Sequence, residues 1–450
     1  MFTKILIANR GEIALRIIRA CKELGIETVV VFSKEDEHSL PVRFADEAIC
    51  IGPREPAESY LNVPRIISAA EVAGAEAIHP GYGFLAENEQ FAEICRSSGV
   101  EFIGPHPELI RKLGNKVEAR NTVARAGVPI VLGSEKIVKD KIEAAEVISP
   151  IGYPVILKAA LGGGGRGMRV VRTEEDLEVL FDLAQQEAKV SFGKPDLYVE
   201  KYLEGAVHIE FQILADKSGK ILHYGERNCS IQRRYQKLME ESPSLVLDES
   251  LRREMGQVAV KVTRELGYVG AGTVEFLLDE DKKYYCMEMN TRLQVEHPVT
   301  EMVTGKDLVK DQIVIAAGDN IPYSQEDIEI QGAAIECRIN AEDPEKNFAS
   351  CPGKITAFHL PGGPGIRVDT HIYFGYNIPS AYDSLLAKLI TWGESREEAR
   401  VRMKRALEEF VIEGIKTTIP FHQRIIENGS FRKGEFYTNF VEEELLKPGV

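Results

Sequence analysis

Gly272-Thr-Val-Glu-Phe-Leu-Leu-Asp279 and Tyr284-Tyr-Cys-Met-Glu-Met-Asn290 read as the two strands of an antiparallel hairpin joined by Glu280-Asp-Lys-Lys283. With that loop, Asp279 pairs with Tyr284 and Glu275 falls directly opposite Glu288. Residues two apart on a strand share a face, so Asn290 joins them. Two like charges directly opposite each other destabilise a strand pair. A divalent cation between them reverses that sign, and oxygen-only ligands suit Mg2+ or Mn2+, which also bridge phosphates. The stretch is therefore either a metal site or a solvated hairpin face, and a one-residue slip of register would separate the carboxylates.

Outward from the hairpin, the chain falls into three blocks. The middle one is mostly antiparallel strand: Pro154–Ala159, Met168–Val171, Leu197–Lys201, His208–Ala215, Ile221–Glu226 and the hairpin itself, with a helix at Leu251–Leu266. This is an α+β pattern. Before it, Lys4–Ala8, a helix at Ile13–Leu24, Glu27–Phe32, a helix at Val63–Ala73, Ala75–Ile78 and Val100–Ile103 alternate strand with helix. That α/β pattern predicts a mainly parallel sheet. Its first turn lacks Gly-x-Gly-x-x-Gly, so dinucleotide binding is not supported. The third block starts near Gln331 with a strand at Ala333–Asn340 and finishes with a helix at Glu397–Phe410.

Composition narrows the function. The 450 residues are 44% apolar and 28% charged, which excludes a disordered or fibrous chain. Against 55 Lys and Arg stand 70 Asp and Glu, net −15, so general nucleic-acid binding is not expected. A local basic pocket for an anionic small molecule stays open. No run of about 18 apolar residues is present, so no membrane span is expected. The opening Met-Phe-Thr-Lys-Ile-Leu-Ile-Ala-Asn9 is too short and strand-like for a signal peptide. Seven scattered cysteines without a Cys-x-x-Cys pair read as free thiols in a reducing cytoplasm.

Several residues carry chemistry. Gly162-Gly-Gly-Gly165-Arg166-Gly167 joins two strands. Such a tip is either a flexible hairpin or a loop whose backbone N–H groups cover a polyphosphate, since no Cβ blocks close approach. Lys158, in an apolar strand beside it, is an edge residue or a phosphate ligand. Lys116 at a helix start opposes the macrodipole unless it serves an anion there. At period two, Arg292, Gln294 and Glu296 project to one side. An arginine fork fits a carbonate, and a nearby glutamate could take its proton. Gln232-Arg-Arg-Tyr-Gln-Lys237 is a second cationic cluster, and His208 and Glu210 alternate on one strand. Arg338, in an apolar strand context, needs either a carboxylate or a developing oxyanion.

Together these residues resemble the biotin carboxylases of the ATP-grasp superfamily. The resemblance runs from Lys4 to about Gly414, through Ile7–Ala14, His79–Asn88, Gly162–Val171, Glu200–Leu203, Met287–Pro298, Glu336–Asn340 and Tyr382–Ser384. It implies an N-terminal Rossmann-like (pre-ATP-grasp) domain over 1–113. A central ATP-grasp domain would span 114–328 with a mobile lid at about 131–203, and a C-terminal biotin carboxylase domain 329–450. By resemblance, Lys116, Lys158, the loop Gly162, Gly163, Gly164, Gly165, Arg166, Gly167 and Met168 hold ATP. Glu200, Lys201 and Leu203 line its adenine pocket, and His208 and Gln232 hold its ribose. Glu275, Glu288 and Asn290 would bind two Mg2+ or Mn2+ ions. Lys237, Arg292, Gln294 and Val295 would hold bicarbonate, Glu296 would be its general base and Arg338 would stabilise the biotin enolate.

The implied reaction joins bicarbonate to the γ-phosphate of ATP, and carbon dioxide from the carboxyphosphate is captured by biotin. This is the first half-reaction of an acetyl-CoA or pyruvate carboxylase. Two departures stand out. Tyr235 replaces a family histidine, and no Ala-Met-Lys-Met biotinylation motif occurs: Met403-Lys404 is followed by Arg405 in a helix. The expected partners are thus a separate biotin carboxyl carrier protein and a carboxyltransferase subunit, with a cytoplasmic homodimer implied by resemblance. A different ATP-grasp ligase that joins an acyl phosphate to an amine, and a non-catalytic nucleotide sensor, are the competing readings.

Overall fold

The computed structural model describes residues 1–161 and 167–446. Strands β1 (Lys4–Ile7), β2 (Glu27–Ser33), β3 (Glu47–Gly52), β4 (Ala77–His79) and β5 (Glu101–Phe102) form a parallel sheet in the order β3-β2-β1-β4-β5. The run Ile5-Leu6-Ile7 is wholly buried, as a central parallel strand requires. Gly11 takes φ +69° where β1 turns into helix α1 (Gly11–Glu23), a conformation open to glycine without strain. The expected α/β pattern is present. Of the five strands it omits only the edge strand β3, where Ile51 alone is buried and the apolar signal is weak, and it also omits the helices at Leu40–Phe44, Glu89–Ser97 and Pro107–Gly114.

Helix α2 (Lys116–Arg125) leads into a small three-stranded antiparallel sheet, β6 (Val155–Ala159), β7 (Arg169–Val171) and β8 (Leu197–Lys201), in the order β7-β6-β8. Helix α3 (Glu174–Phe192) covers it, entered through a capping box between Thr173 and Asp176 and left through Gly193 at φ +79°. Val155, Leu157, Val171, Phe181, Leu197 and Val199 belong to a core confined to this unit. Of the expected glycine loop between β6 and β7, Gly162, Gly163, Gly164, Gly165 and Arg166 lie outside the described residues.

The third element is an eight-stranded antiparallel sheet. Its strands are β9 (Val207–Ala215), β10 (Ile221–Arg233), β11 (Gln236–Ser242), β12 (Gly270–Leu278), β13 (Tyr284–Asn290), β14 (Ala333–Asn340), β15 (Ile366–Thr370) and β16 (Leu385–Gly393). They lie in the order β13-β12-β9-β10-β11-β14-β16-β15, so the sheet runs unbroken across position 329. Helix α4 (Glu249–Glu265) packs on β9 and β10, helix α5 (His297–Thr304) follows β13, and helix α6 (Arg396–Glu409) packs on β14 and β16. Alternation along β14 sets the faces. Ile335, Cys337 and Ile339 enter the core under α6, while Glu336 and Arg338 point the other way. Among the described residues no helix is long and apolar enough to cross a membrane.

Candidate active site

A cavity of about 690 Å³ opens where the three units meet. Lys116, Lys158, Met168, Glu200, Lys201, Leu203, His208, Gln232, Lys237, Glu275 and Glu288 all line it. So do Asn290, Arg292, Gln294, Val295, Glu296 and Arg338, together with Arg10 and Tyr82 from the parallel-sheet unit. Gly167 does not line it. It sits at the base of the β6–β7 loop at φ +69°, where an added Cβ would lie 3.2 Å from that of Ala159.

The hairpin brings Glu275 opposite Glu288 by a route that differs from the expected one. Leu278, not Asp279, pairs with Tyr284, so the loop is one residue longer. A β-bulge between Glu275 and Phe276 absorbs Met287 and restores the pairing of Glu275 with Glu288 and of Thr273 with Asn290. Glu275 Oε1 accepts from Lys237 Nζ at 3.0 Å, Gln294 Nε2 at 3.0 Å and Asn290 Nδ2 at 2.8 Å. Lys116 Nζ lies 2.6 Å from Glu288. The lysine at the helix start therefore does serve an anion, and that anion is Glu288. Two ammonium groups balance two opposed carboxylates, the charge that one divalent cation carries. With the Asn290 amide oxygen, the oxygen-only donor set fits Mg2+.

Lys237 is the electrostatic hub. Its Nζ lies 2.6 Å from Glu210, 3.0 Å from Glu275 and 2.7 Å from Glu296. Burial works against the ammonium, yet the three carboxylates raise its pKa well above the usual range. Burial alone would raise Glu296, but Lys237 and Arg338 outweigh it and hold the carboxyl well below the usual range. Glu275 is held low in the same way by Lys237 and His208, against burial. Removing one partner from so buried a set typically costs about 3–5 kcal/mol, because the remaining charges lose their balance.

Arg338 finds carboxylates, though not its strand neighbour Glu336. Its guanidinium donates through Nε to Glu240 at 2.7 Å and through Nη2 to Glu296 at 2.9 Å. The Arg292-x-Gln294-x-Glu296 alternation needs correction. β13 ends at Asn290, the next residues form a non-strand turn, and Glu296 is the cap of α5. The three side chains still converge on the cavity, with Arg292 Nη1 donating to Gln294 at 2.6 Å. Two supports were not among the expected site residues. Glu87 accepts from Arg292 Nε at 3.0 Å. Fully buried Lys388 donates to the Val295 carbonyl at 3.0 Å and pairs with Glu12 at 3.2 Å. Desolvation of a lysine in an apolar strand is the signal that could have singled out Lys388.

On the other side of the cavity, Lys158 and Glu200 are joined by a short hydrogen bond across β6 and β8. Lys158 is on the middle strand, so it is not an edge residue. Gln232 Nε2 lies 3.1 Å from His208 Nδ1, and His208 Nε2 lies 3.1 Å from Glu275. The amide N–H donating into Nδ1 leaves Nε2–H to donate to the carboxylate. Arg234 and Tyr235 form the two-residue turn between β10 and β11, both left-handed at φ +49° and +64°. Tyr235 thereby lines the cavity at the position that departs from the expected histidine.

Comparison with known proteins agrees with this geometry. Residues 1–110 match the family described as biotin carboxylase, N-terminal domain, and residues 336–443 the biotin carboxylase C-terminal domain. Residues 115–324 match the carbamoyl-phosphate synthase L chain, ATP binding domain. Biotin carboxylase 1 of Bacillus subtilis is 58% identical over 443 residues, 98% of each chain. The chain belongs to the biotin carboxylase family. A pyruvate carboxylase subunit of Methanothermobacter thermautotrophicus is 54% identical, covering 98% of this chain and 90% of the relative. The biotin carboxylase domain dimer of Hydrogenobacter thermophilus 2-oxoglutarate carboxylase, solved with MgADP, ADP and bicarbonate, superposes with a TM-score of 0.96 at 53% identity over 98% of both chains. The family's reaction is the ATP-dependent carboxylation of biotin, and this chain is a ligase of that kind.

Proposed function

We propose that the cavity carboxylates biotin carried on a separate protein, with the γ-phosphate of ATP and bicarbonate as co-substrates. The observation that carries this reading is Glu296, a buried carboxylate held between Lys237 and Arg338, with Arg292 on the same cavity wall. Lys237, Arg292, Gln294 and the Val295 backbone bind bicarbonate, and Glu296 takes its proton. In the substrate-free chain Glu296 is a weak base because two cations hold it. Bicarbonate draws Lys237 toward itself and biotin draws Arg338, so both substrates raise the basicity of Glu296.

The deprotonated oxygen attacks the γ-phosphorus and ADP leaves. Carboxyphosphate then breaks at its carbon–oxygen bond to carbon dioxide and phosphate. Phosphate takes the proton from the ureido nitrogen of biotin, Arg338 stabilises the enolate oxygen, and that nitrogen bonds to the carbon dioxide. Lys116, Lys158, Gly162–Gly167 and Met168 hold the ATP phosphates. Glu200, Lys201 and Leu203 hold its base, and His208 and Gln232 its ribose. Glu275, Glu288 and Asn290 would hold Mg2+, which would supply neutralisation of phosphate charge.

The functional division follows 1–113, 114–328 and 329–450, with the segment 131–203 closing over ATP to exclude water. A biotin-bearing carrier and a carboxyltransferase subunit complete the enzyme, as a homodimer in the cytoplasm. Phosphate release from ATP tests the reading. It should require bicarbonate and rise with biotin. Release that needs an amine in place of biotin would point to another ATP-grasp ligase.

A further inference from the structure

Arg338 is shared unevenly between two buried acids, and the stronger claim is not the base's. Glu240 Oε1 accepts Nε–H at 2.7 Å and lies 2.5 Å from Nη2 of Arg338, whereas Glu296 Oε2 accepts Nη2–H at 2.9 Å. The contact is set by sheet register. Glu240 on β11 lies directly opposite Glu336 on β14, and Arg338 is two residues further along the same face, the diagonal position that a long side chain can reach. Glu240 and Glu336 are both fully buried, and among the described residues Glu240 Oε2 and both Glu336 oxygens have no protein donor. Two directly opposed buried acids cannot both hold a charge without a counter-ion. Burial pushes both carboxyls up, Glu240 to about 7 and Glu336 further. Arg338 donates to Glu240 alone of the two, so the pair's single charge sits on Glu240 and its proton on Glu336.

Resting on the proposed enolate role of Arg338, we infer that Glu240 is the positioning residue that holds the Arg338 guanidinium toward biotin once Glu296 has released it, with protonated Glu336 behind it. When Glu296 accepts the bicarbonate proton, its hold on Arg338 weakens. The Nε–H bond and the close Nη2 contact to Glu240 remain and fix the guanidinium plane. Glu240 touches no substrate and acts only through Arg338.

A double-mutant cycle tests this, with Glu240→Gln, Arg338→Ala and the pair, each assayed for biotin carboxylation and for biotin-independent, bicarbonate-dependent ATP hydrolysis. Glu240→Gln should lower kcat for biotin carboxylation about tenfold or more. That loss should exceed its effect on the biotin-independent hydrolysis and should leave the KM for ATP in place. In the Arg338→Ala background the substitution should add nothing. Glu336→Gln, which keeps the neutral partner, should retain most of the carboxylation. Independent, multiplying losses in the double variant, or a Glu336→Gln loss as large as that of Glu240→Gln, would overturn the inference. If Arg338→Ala alone spares biotin carboxylation, the parent reading fails instead. Should Glu240→Gln not fold, Glu240→Asp, which draws the charge back by one methylene, should show the same split between the two activities. Equal loss of both would overturn the inference.

Discussion

The eight-stranded sheet and the three-stranded unit beside it face the same cavity with opposite designs. On the large sheet and at the helix cap beside it, Glu275 and Glu296 are buried, Lys237 and Arg338 are half-buried, and each has two or more partners. On the small sheet, Lys158 and Glu200 bond chiefly to each other, and Arg120 lies 3.6 Å from Glu200. The small unit also keeps its core to itself. Among the described residues, a cluster of Val117, Ala160 and Tyr198 with partly buried Ile137 ties it to α2. A unit with a private core can swing without exposing apolar surface, and a floor whose charges are mutually bonded cannot. On the proposed reading, chemistry is fixed on the floor and nucleotide capture falls to the unit with its own core.

The largest expected effect comes from the floor. Lys237→Met should abolish turnover and lower stability at neutral pH by about 3 kcal/mol or more, because three buried carboxylates lose their counter-ion. It should also reverse part of the pH dependence. In the native chain Glu275 and Glu296 are held low, so their contribution is present above the unfolded value of about 4.3 and is lost as pH falls through the folded values. Without Lys237 burial raises them, so stability should instead be lost as pH climbs above about 4.3. Denaturant midpoints at pH 5 and pH 8 decide this, and a variant that gains stability between them would break the contrast.

Next in size, Glu288→Gln should lower ATP turnover by a factor of about 100 or more with the fold kept, since one of two opposed carboxylates is lost to the metal. Normal turnover with normal Mg2+ dependence would remove the metal assignment. The lid should respond more mildly. Lys158→Met should act mainly through the KM for ATP, and its cost in stability should stay below that of Lys237→Met, because Lys158 has one carboxylate partner rather than three and Arg120 still lies 3.6 Å from buried Glu200. Hydrogen exchange in β6–β8 should slow on adding ATP while β9–β12 stays unchanged. Equal change in both sheets would erase the distinction between floor and lid. The smallest effect belongs to the left-handed turn. Tyr235→Gly should raise stability by about 1 kcal/mol by relieving φ +64°, read as a higher melting temperature.

Most of the floor was legible because alternation and charge placement are local. Glu275 meeting Glu288 follows from strand period, and Arg338 announces itself as a guanidinium among apolar residues. The bulge at Met287 and the longer loop were not legible, since each is one residue long and they cancel in register. Glu87, Glu240 and Lys388 escaped for a different reason. Their partners lie 205, 98 and 93 residues away, and sequence distance hides contacts made by sheet order. The sheet's continuity from β11 to β14 was hidden likewise, because about ninety residues separate those strands and among them β12 and β13 join the sheet at its other end.

The most direct test of the account follows carbon from labelled bicarbonate with free biotin or a biotinylated carrier as acceptor, in the presence of ATP and Mg2+. Label should appear on biotin in proportion to ADP formed. It should vanish when ATP or Mg2+ is withheld or when Glu296 is replaced by alanine. ATP turnover that requires bicarbonate yet leaves no label on biotin would contradict it.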